Sequence, residues 1–352
     1  MTISRRAFLK AASLAPLFAA SADWGASSGW AASDSRFKTR GVILDTHDLS
    51  TLDWPKLARD AGLTTLATHI RPSEVTAFLQ RPEGATFLER CREYGIAVEH
   101  ELHAVGELLP RTLFEKNPEL FRMNEKQERV GDWNCCPSNP RALEIIAENA
   151  VAVAKICRAT TERYFYWIDD GQPMCCCPKC REFNYAEQAL LIENAMLAAL
   201  RSEISPHATL AHLAYYSTMT PPAKVKPSEG IFLEFAPYER VWDCPLCEGD
   251  AGREGKMNHA QTLETLDANL TVFPKETAQV LEYWLDLSLF SGYKKPTPKL
   301  PWRPEICRSD VATYAERGIR NFTSFAVYID GDYAKTYGDL SFLREYGAIL
   351  SE

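Results

Sequence analysis

Residues 164–180, YFYWIDDGQPMCCCPKC, decide how this chain is read. Tyr164–Ile168 is an apolar, aromatic run of strand length. It leads straight into two acids, Asp169 and Asp170, and then Gly171, a residue free to turn the chain. Four cysteines follow within six positions, closed by the step Cys177-Pro178-Lys179-Cys180. A buried strand, an acid pair, a turn and a thiol cluster in seventeen residues predict the edge of a barrel site with a metal or disulfide brace beside it.

Working outward, short β-rich runs alternate with segments of helical period, the pattern of βα units around a parallel sheet. Eight strands are expected: Val42–Asp45, Thr64–Thr68, Ala97–Leu102, Tyr164–Ile168, Thr209–Tyr215, Ile231–Phe235, Val280–Trp284 and Phe322–Ile329. Helical segments include Trp54–Ala61, Thr86–Tyr94, Pro140–Arg158, Ala186–Ile204, Ala260–Asn269 and Pro304–Arg317. The fold class is α/β, and eight such strands close into a single (β/α)8 TIM-type barrel, with a doubly wound sheet as the alternative. Long segments after strand three (residues 104–162) and strand six (residues 236–259) place Cys-rich loops on the carboxyl-terminal face, where barrel sites are built.

The first residues read as an address. Ser4-Arg5-Arg6-Ala7-Phe8-Leu9-Lys10 is similar to a twin-arginine export signal, followed by an apolar run from Ala11 to Ala20 and a small-residue cleavage site at Ala20-Ser21-Ala22. Residues 1–32 are thus expected to be signal and spacer, and 33–352 the barrel. The expected partner is the twin-arginine export machinery, and the expected location is the periplasm or the medium. The apolar run is about half the ~20 residues that span a bilayer, so no stable membrane anchor is expected. Net charge is −8 with no basic tract. That excludes nucleic acid as an expected partner, because such binding rests on neutralising phosphates.

Polar residues gather at the predicted strand ends. His47 follows strand one, His69 strand two and His103 strand three; Tyr215 ends strand five. Glu234 and Tyr238 belong to strand six and its loop, Glu282 to strand seven, and Asp330 follows strand eight. Carboxylates for acid–base work beside flat rings for stacking suit a carbohydrate. Asp169 and Asp170 are the catalytic candidates, because two close carboxyls push their proton affinities apart, leaving one as acid and one as anion.

Cys177-Pro178-Lys179-Cys180 and Cys244-Pro245-Leu246-Cys247 are two Cys-Pro-x-Cys knuckles, each able to present two thiolates to one tetrahedral metal. With Cys136 and Cys175 they form the expected ligand set, with structural zinc favoured and disulfides or an iron–sulfur cluster as alternatives. Cys91, Cys157 and Cys307 fall in helical segments and are expected to be buried and inert.

Several stretches together resemble a bacterial family of glycosidase-like barrels, domain of unknown function 4838, related to α-glucuronidases and hexosaminidases. They are Asn117-Pro118-Glu119-Leu120-Phe121, Cys136-Pro137-Ser138-Asn139-Pro140, Asp170-Gly171 with Cys175, Cys177 and Cys180, Ala214-Tyr215 with Pro221-Pro222, and Phe235-Ala236-Pro237. The resemblance covers roughly residues 90–330 and implies a (β/α)8 domain acting on carbohydrate. By likeness to the acid pairs of substrate-assisted N-acetylhexosaminidases, it implies that Asp169 orients an acetamido group and Asp170 protonates the leaving oxygen. Two other readings remain at this point: a barrel that binds sugar or a partner without catalysis, and a metalloenzyme centred on the Cys-rich rim, with His259 as a further ligand.

Overall fold

The computed structural model describes residues 36–352; the export signal expected over residues 1–32 lies outside them. Eight parallel strands close on themselves in chain order: β1 Thr39–Asp45, β2 Thr65–His69, β3 Ala97–His103, β4 Arg163–Trp167, β5 Thr209–Ala214, β6 Ile231–Phe235, β7 Gln279–Glu282 and β8 Asn321–Phe325. The closing edge pairs β1 with β8 from Thr39↔Asn321 to Ile43↔Phe325. The doubly wound alternative is therefore set aside, because that sheet would leave two open edges where this one has none.

Helices cover the outside after seven of the eight strands, including Trp54–Asp60, Pro82–Tyr94, Pro140–Ala154, Tyr185–Glu203, His259–Asn269, Pro304–Glu316 and Ser341–Ile349. Between β5 and β6 the chain makes only the 3-10 turn Tyr216–Thr218 before its loop. Pro140–Ala154 starts where the Asn139 side chain accepts from the Arg141 N–H, with Pro140 at a position where no N–H is needed. It buries Ala142, Ile146, Ala147, Ala150, Val151 and Ala154, the face at helical spacing. Among the described residues no helix is long and apolar enough to cross a membrane.

Side chains alternate across each strand. Val42, Leu44, Leu66, Val98, Leu210, Leu233, Val280 and Phe322 point outward into one core shared with the helices. Ile43, Ala67, Phe165, Trp167, Ala211, Phe232, Leu281 and Phe325 form a second core inside the barrel. The floor of that inner core is polar. Gln279 Nε2 donates to Glu234 Oε1 at 2.9 Å, and the Trp167 indole N–H donates to Glu234 Oε2 at 2.9 Å. Burial pushes the Glu234 carboxyl up to about 8, and burial with the charge of Glu234 pushes Glu101 well above the usual range. Burial thus disfavours the charged form of both adjacent acids.

On the outer face of β7, Glu282 meets a buried ion network. Arg240 Nη1 lies 2.9 Å from Glu282 Oε1 and 2.6 Å from Asp310 Oδ2, while the Tyr314 hydroxyl donates to Glu282 Oε1 at 2.6 Å. Arg240 also donates to the Cys244 carbonyl at 3.2 Å, and Asp310 accepts from the Leu246 N–H at 2.7 Å. This network shapes the loop after β6. Asp310→Ala leaves Arg240 short of one partner in a dry site; equilibrium urea unfolding should show a loss of about 3–5 kcal/mol.

Candidate active site

Residues at and just past the carboxyl ends of the barrel strands wall a cavity of about 230 Å³. The wall includes Asp45 from β1, His69 from β2, His103 from β3, Trp167 from β4 and Phe325 from β8; past the ends of β5, β6 and β7 come Tyr215, Tyr238 and Tyr283. Their rings run in a collar. Centroids lie 5.0 Å apart for Trp167–His103, 5.8 Å for His103–His69, 5.0 Å for His69–Phe325, 5.3 Å for Phe325–Tyr283, 5.3 Å for Tyr283–Tyr238 and 5.9 Å for Tyr238–Tyr215. Most of these pairs meet edge to face, the arrangement that aromatic quadrupoles prefer.

Three carboxyl groups join the wall: Asp45, Asp170 and Asp286. Strand order places Asp170, after β4, across the barrel from Asp45 at the end of β1 and Asp286 after β7. Asp45 is pushed up to about 6, by burial first and then by the charge of Asp286; burial raises Asp286 to about 6 as well. Asp286 Oδ1 accepts from Ser288 Oγ at 2.6 Å, the Ser288 N–H at 3.0 Å and the Leu289 N–H at 3.2 Å. The carboxyl is thereby locked in place with Oδ2 unpaired among the described residues.

The two histidines are fixed through one nitrogen each. His69 Nδ1 lies 2.7 Å from the Glu101 carbonyl, and His103 Nδ1 lies 2.8 Å from the Ile168 carbonyl. A carbonyl only accepts, so Nδ1 is the donor in both rings. Burial pushes His69 down to about 3, so this ring is neutral and its Nε2 carries a lone pair. His103 Nε2 stands 4.0 Å from Asp170 Oδ1. Asp170 also faces the Tyr215 hydroxyl, whose proton burial and neighbouring charges hold tightly.

The adjacent acids part company here. Asp169 is buried and does not line the cavity; its Oδ1 accepts from the Gly106 N–H at 2.9 Å and its Oδ2 from the Asn134 N–H at 2.6 Å. Asn134 Oδ1 accepts in return from the Asp169 N–H at 2.9 Å. A Cβ on Gly106 would lie 2.4 Å from Asp169 Oδ1, so glycine is what allows this approach. Asp169 is a pin that ties two loops, and the turn at Gly171 leaves only Asp170 in the cavity.

Of the other expected contacts, His69, His103, Tyr215 and Tyr238 line the cavity, and four residues do not. Glu234 lies in the floor beneath it, and Glu282 faces outward into the Arg240 network. Asp330 caps the helix Gly331–Tyr337 and is bound by Lys295, with exposed His47 at 3.6 Å. Asp45, Trp167, Tyr283, Asp286 and Phe325 were not among the expected site residues. For Asp45, Trp167, Tyr283 and Phe325 the signal was the odd-numbered inward set along β1, β4, β7 and β8 and its continuation, which only the barrel's register makes readable; Asp286 lies beyond it, capping the helix Leu287–Phe290.

Beside the site, the sulfurs of Cys136, Cys175, Cys177 and Cys180 all lie within 4.8 Å of one another, and all four residues are buried. Cys136 Sγ is 3.8 Å from both Cys177 Sγ and Cys180 Sγ. Thiolates about 2.3 Å from one tetrahedral ion are about 3.8 Å apart, so the cluster fits a single metal. Sulfurs on several irons would be spread more widely. The Met123 N–H donates to Cys175 Sγ at 3.3 Å, and Arg129 Nη1 stands 3.8 Å from the same sulfur; both groups offset thiolate charge. All eleven cysteines are free thiols. Cys244 and Cys247 do not join the cluster, a correction to the six-cysteine ligand set. The Arg240 network holds Cys244, and Cys247 Sγ lies 3.4 Å from Ser309 on the helix Pro304–Glu316. His259 is likewise committed, with Nδ1 donating to the Pro245 carbonyl at 3.0 Å and Nε2 accepting from the Val241 N–H at 3.3 Å.

The family described as "Domain of unknown function (DUF4838)" matches residues 65–339. No curated protein matches the sequence. Among solved structures, the fold is similar to a catalytic module of the pneumococcal exo-β-D-N-acetylglucosaminidase (10% identity, 89% of this chain and 84% of that one, TM-score 0.43). It is also similar to a β-galactosidase from Marinomonas ef1 (9%, 89% and 59%, 0.48) and to a xylose isomerase domain protein from Planctomyces limnophilus (13%, 89% and 98%, 0.40).

Replacing Asp169 with Asn would set an amide N–H₂ against one of the two backbone N–H donors, Gly106 or Asn134. Urea unfolding should show a loss of about 2–3 kcal/mol. Asp170→Asn, half-exposed, should cost less than ~0.5 kcal/mol.

Proposed function

The chain belongs to the DUF4838 family, and from that premise we propose that it is a glycoside hydrolase acting on a small or partly degraded carbohydrate. The observation that carries this reading is the placing of three carboxyl groups on opposite walls of a small, ring-lined cavity at the carboxyl end of a closed barrel. At about 230 Å³ the cavity falls below the 300–1,000 Å³ usual for drug-sized ligands, which favours a single sugar ring over a chain. The rings offer stacking faces, and the neutral His69 Nε2 offers an acceptor for a sugar hydroxyl.

Glycoside hydrolysis needs one carboxyl to protonate the leaving oxygen and another to assist attack at the anomeric carbon. Asp45 and Asp286, each raised to about 6, are the two groups able to supply the acid. Asp170, across the cavity, presents the second carboxyl, either in direct attack or through a water. Asp169 assists by position alone, holding the turn from which Asp170 projects.

The four-cysteine cluster is read as a structural zinc site. Four buried thiolates fill a tetrahedral shell and leave no open position for a reacting group, which favours a brace over a metalloenzyme centre. A zinc there ties the loop carrying Met123 and Arg129 to the chain just beyond Asp170. The resemblance of residues 4–10 to a twin-arginine signal supports export, with folding and zinc loading completed beforehand.

Asp170→Asn and Asp286→Asn should each lower kcat on aryl glycosides by about 10²–10⁴-fold while circular dichroism stays native. An unchanged kcat for both would reject the hydrolase reading. Because the acid must be protonated, turnover should fall as pH rises through about 6, the value to which both Asp45 and Asp286 are raised. Elemental analysis should find close to one zinc per chain. Cys177→Ala or chelation should remove the metal and lower stability together; activity lost with stability intact would overturn the brace.

A further inference from the structure

The cavity wall carries an imbalance of charge. Three aspartates line it, and no arginine or lysine does. His69 is neutral, and His103 commits its one certain donor to the Ile168 carbonyl. Lys295, whose charge acts on Asp45 from outside the wall, is bound to the Asp330 carboxylate and stacks over the Tyr328 ring, 4.6 Å from its centroid. Asp286 is almost wholly buried, yet its Oδ2 has no partner among the described residues while the side chain lines the cavity. Oδ2 opens to the cavity, where a ligand can supply it a donor.

A metal ion is not what this wall suits. Among the described residues only the four cysteines bring three or more ligand atoms within 4.8 Å of one another, so the three aspartates stand too far apart to share one ion. The collar of Trp167, Tyr215, Tyr238 and Tyr283 adds ring faces, which attract organic cations. An acetamido group, in contrast, lacks its orienting anion, because Asp169 spends both oxygens on backbone N–H groups outside the cavity.

We propose that the sugar taken by this cavity carries a free, protonated amine, in preference to an N-acetylated, neutral or uronic sugar. The inference rests on the reading of the cavity as the sugar site of a glycoside hydrolase. The ammonium group supplies N–H donors to Asp286 Oδ2 and offsets the charge of Asp45, and the rings flank it. A uronic carboxylate would face three like groups with no cation to receive it.

Titration calorimetry on the full chain at pH 7 tests this, with glucosamine, galactosamine, glucose, N-acetylglucosamine and glucuronate as probes. One of the two amino sugars should bind about tenfold or more tighter than glucose and N-acetylglucosamine, the gain expected from one desolvated cation contact. Glucuronate should bind weakest. Asp45→Asn, isosteric with the native side chain, should narrow the preference for amine over glucose. Glucose, N-acetylglucosamine or glucuronate matching the amino sugars within twofold would overturn the inference, as would no binding by either amino sugar. The two readings fail separately. Turnover of neutral aryl glycosides without amine preference leaves the hydrolase standing, whereas amino-sugar binding without turnover of any aryl glycoside leaves only the recognition.

Discussion

Alternation of side chains along eight strands that close on each other is the constraint from which the rest follows. In a closed parallel barrel a residue faces the helices or the axis, and no edge strand escapes the choice. Outward positions take aliphatic and aromatic residues that pack under the helices. Inward positions change character with height: acids, amide and hydroxyl groups below, rings at mid-height, and Asp45, His69 and His103 at the mouth. The site is the top layer of the interior, and its composition is inherited from strand registers set several residues earlier.

The polar floor and the mouth are joined by one side chain. Trp167 donates to Glu234 below and lines the cavity above. Burial disfavours the charged forms of the floor acids, and Gln279 serves both as donor. A floor of this kind fixes the indole plane more firmly than apolar packing would, since its N–H is held by a buried acceptor. The mouth is firm for a different reason: Asp286 is fastened by three donors, and Asp170 projects from a turn pinned by Asp169.

All eight strands were legible in the sequence, because alternation and β-branched or aromatic runs are local signals. Their ends were less so. Phe322–Ile329 reads as one strand, yet β8 stops at Phe325 and Tyr328 takes a positive φ of 72°. The fate of the acid pair was not local at all. Asp169 is turned away by Asn134, 35 positions earlier, and nothing between them in sequence records the contact. Glu234 and Glu282 look alike as strand glutamates, but one faces the axis and the other the helices, a phase set by neighbouring strands. Cys136 joins Cys175, Cys177 and Cys180 as the spacing suggested; Cys244 and Cys247 are held elsewhere by Arg240 and Asp310, partners that no knuckle motif announces.

A metal held by the cysteine cluster would also act on the chain before it folds. A metal gripped by Cys136 and Cys175 closes a loop of about 40 residues that contains the helix Pro140–Ala154 and all of β4. Closing a loop of that length removes conformational freedom from the unfolded chain worth on the order of 4 kcal/mol by the chain-entropy argument used for disulfides. The ion would then hold the β4 segment near its helix while the remaining strands are still unordered. Half a barrel tethered in this way has fewer wrong partners to sample, so the metal would bear on the order of assembly as well as on the finished fold.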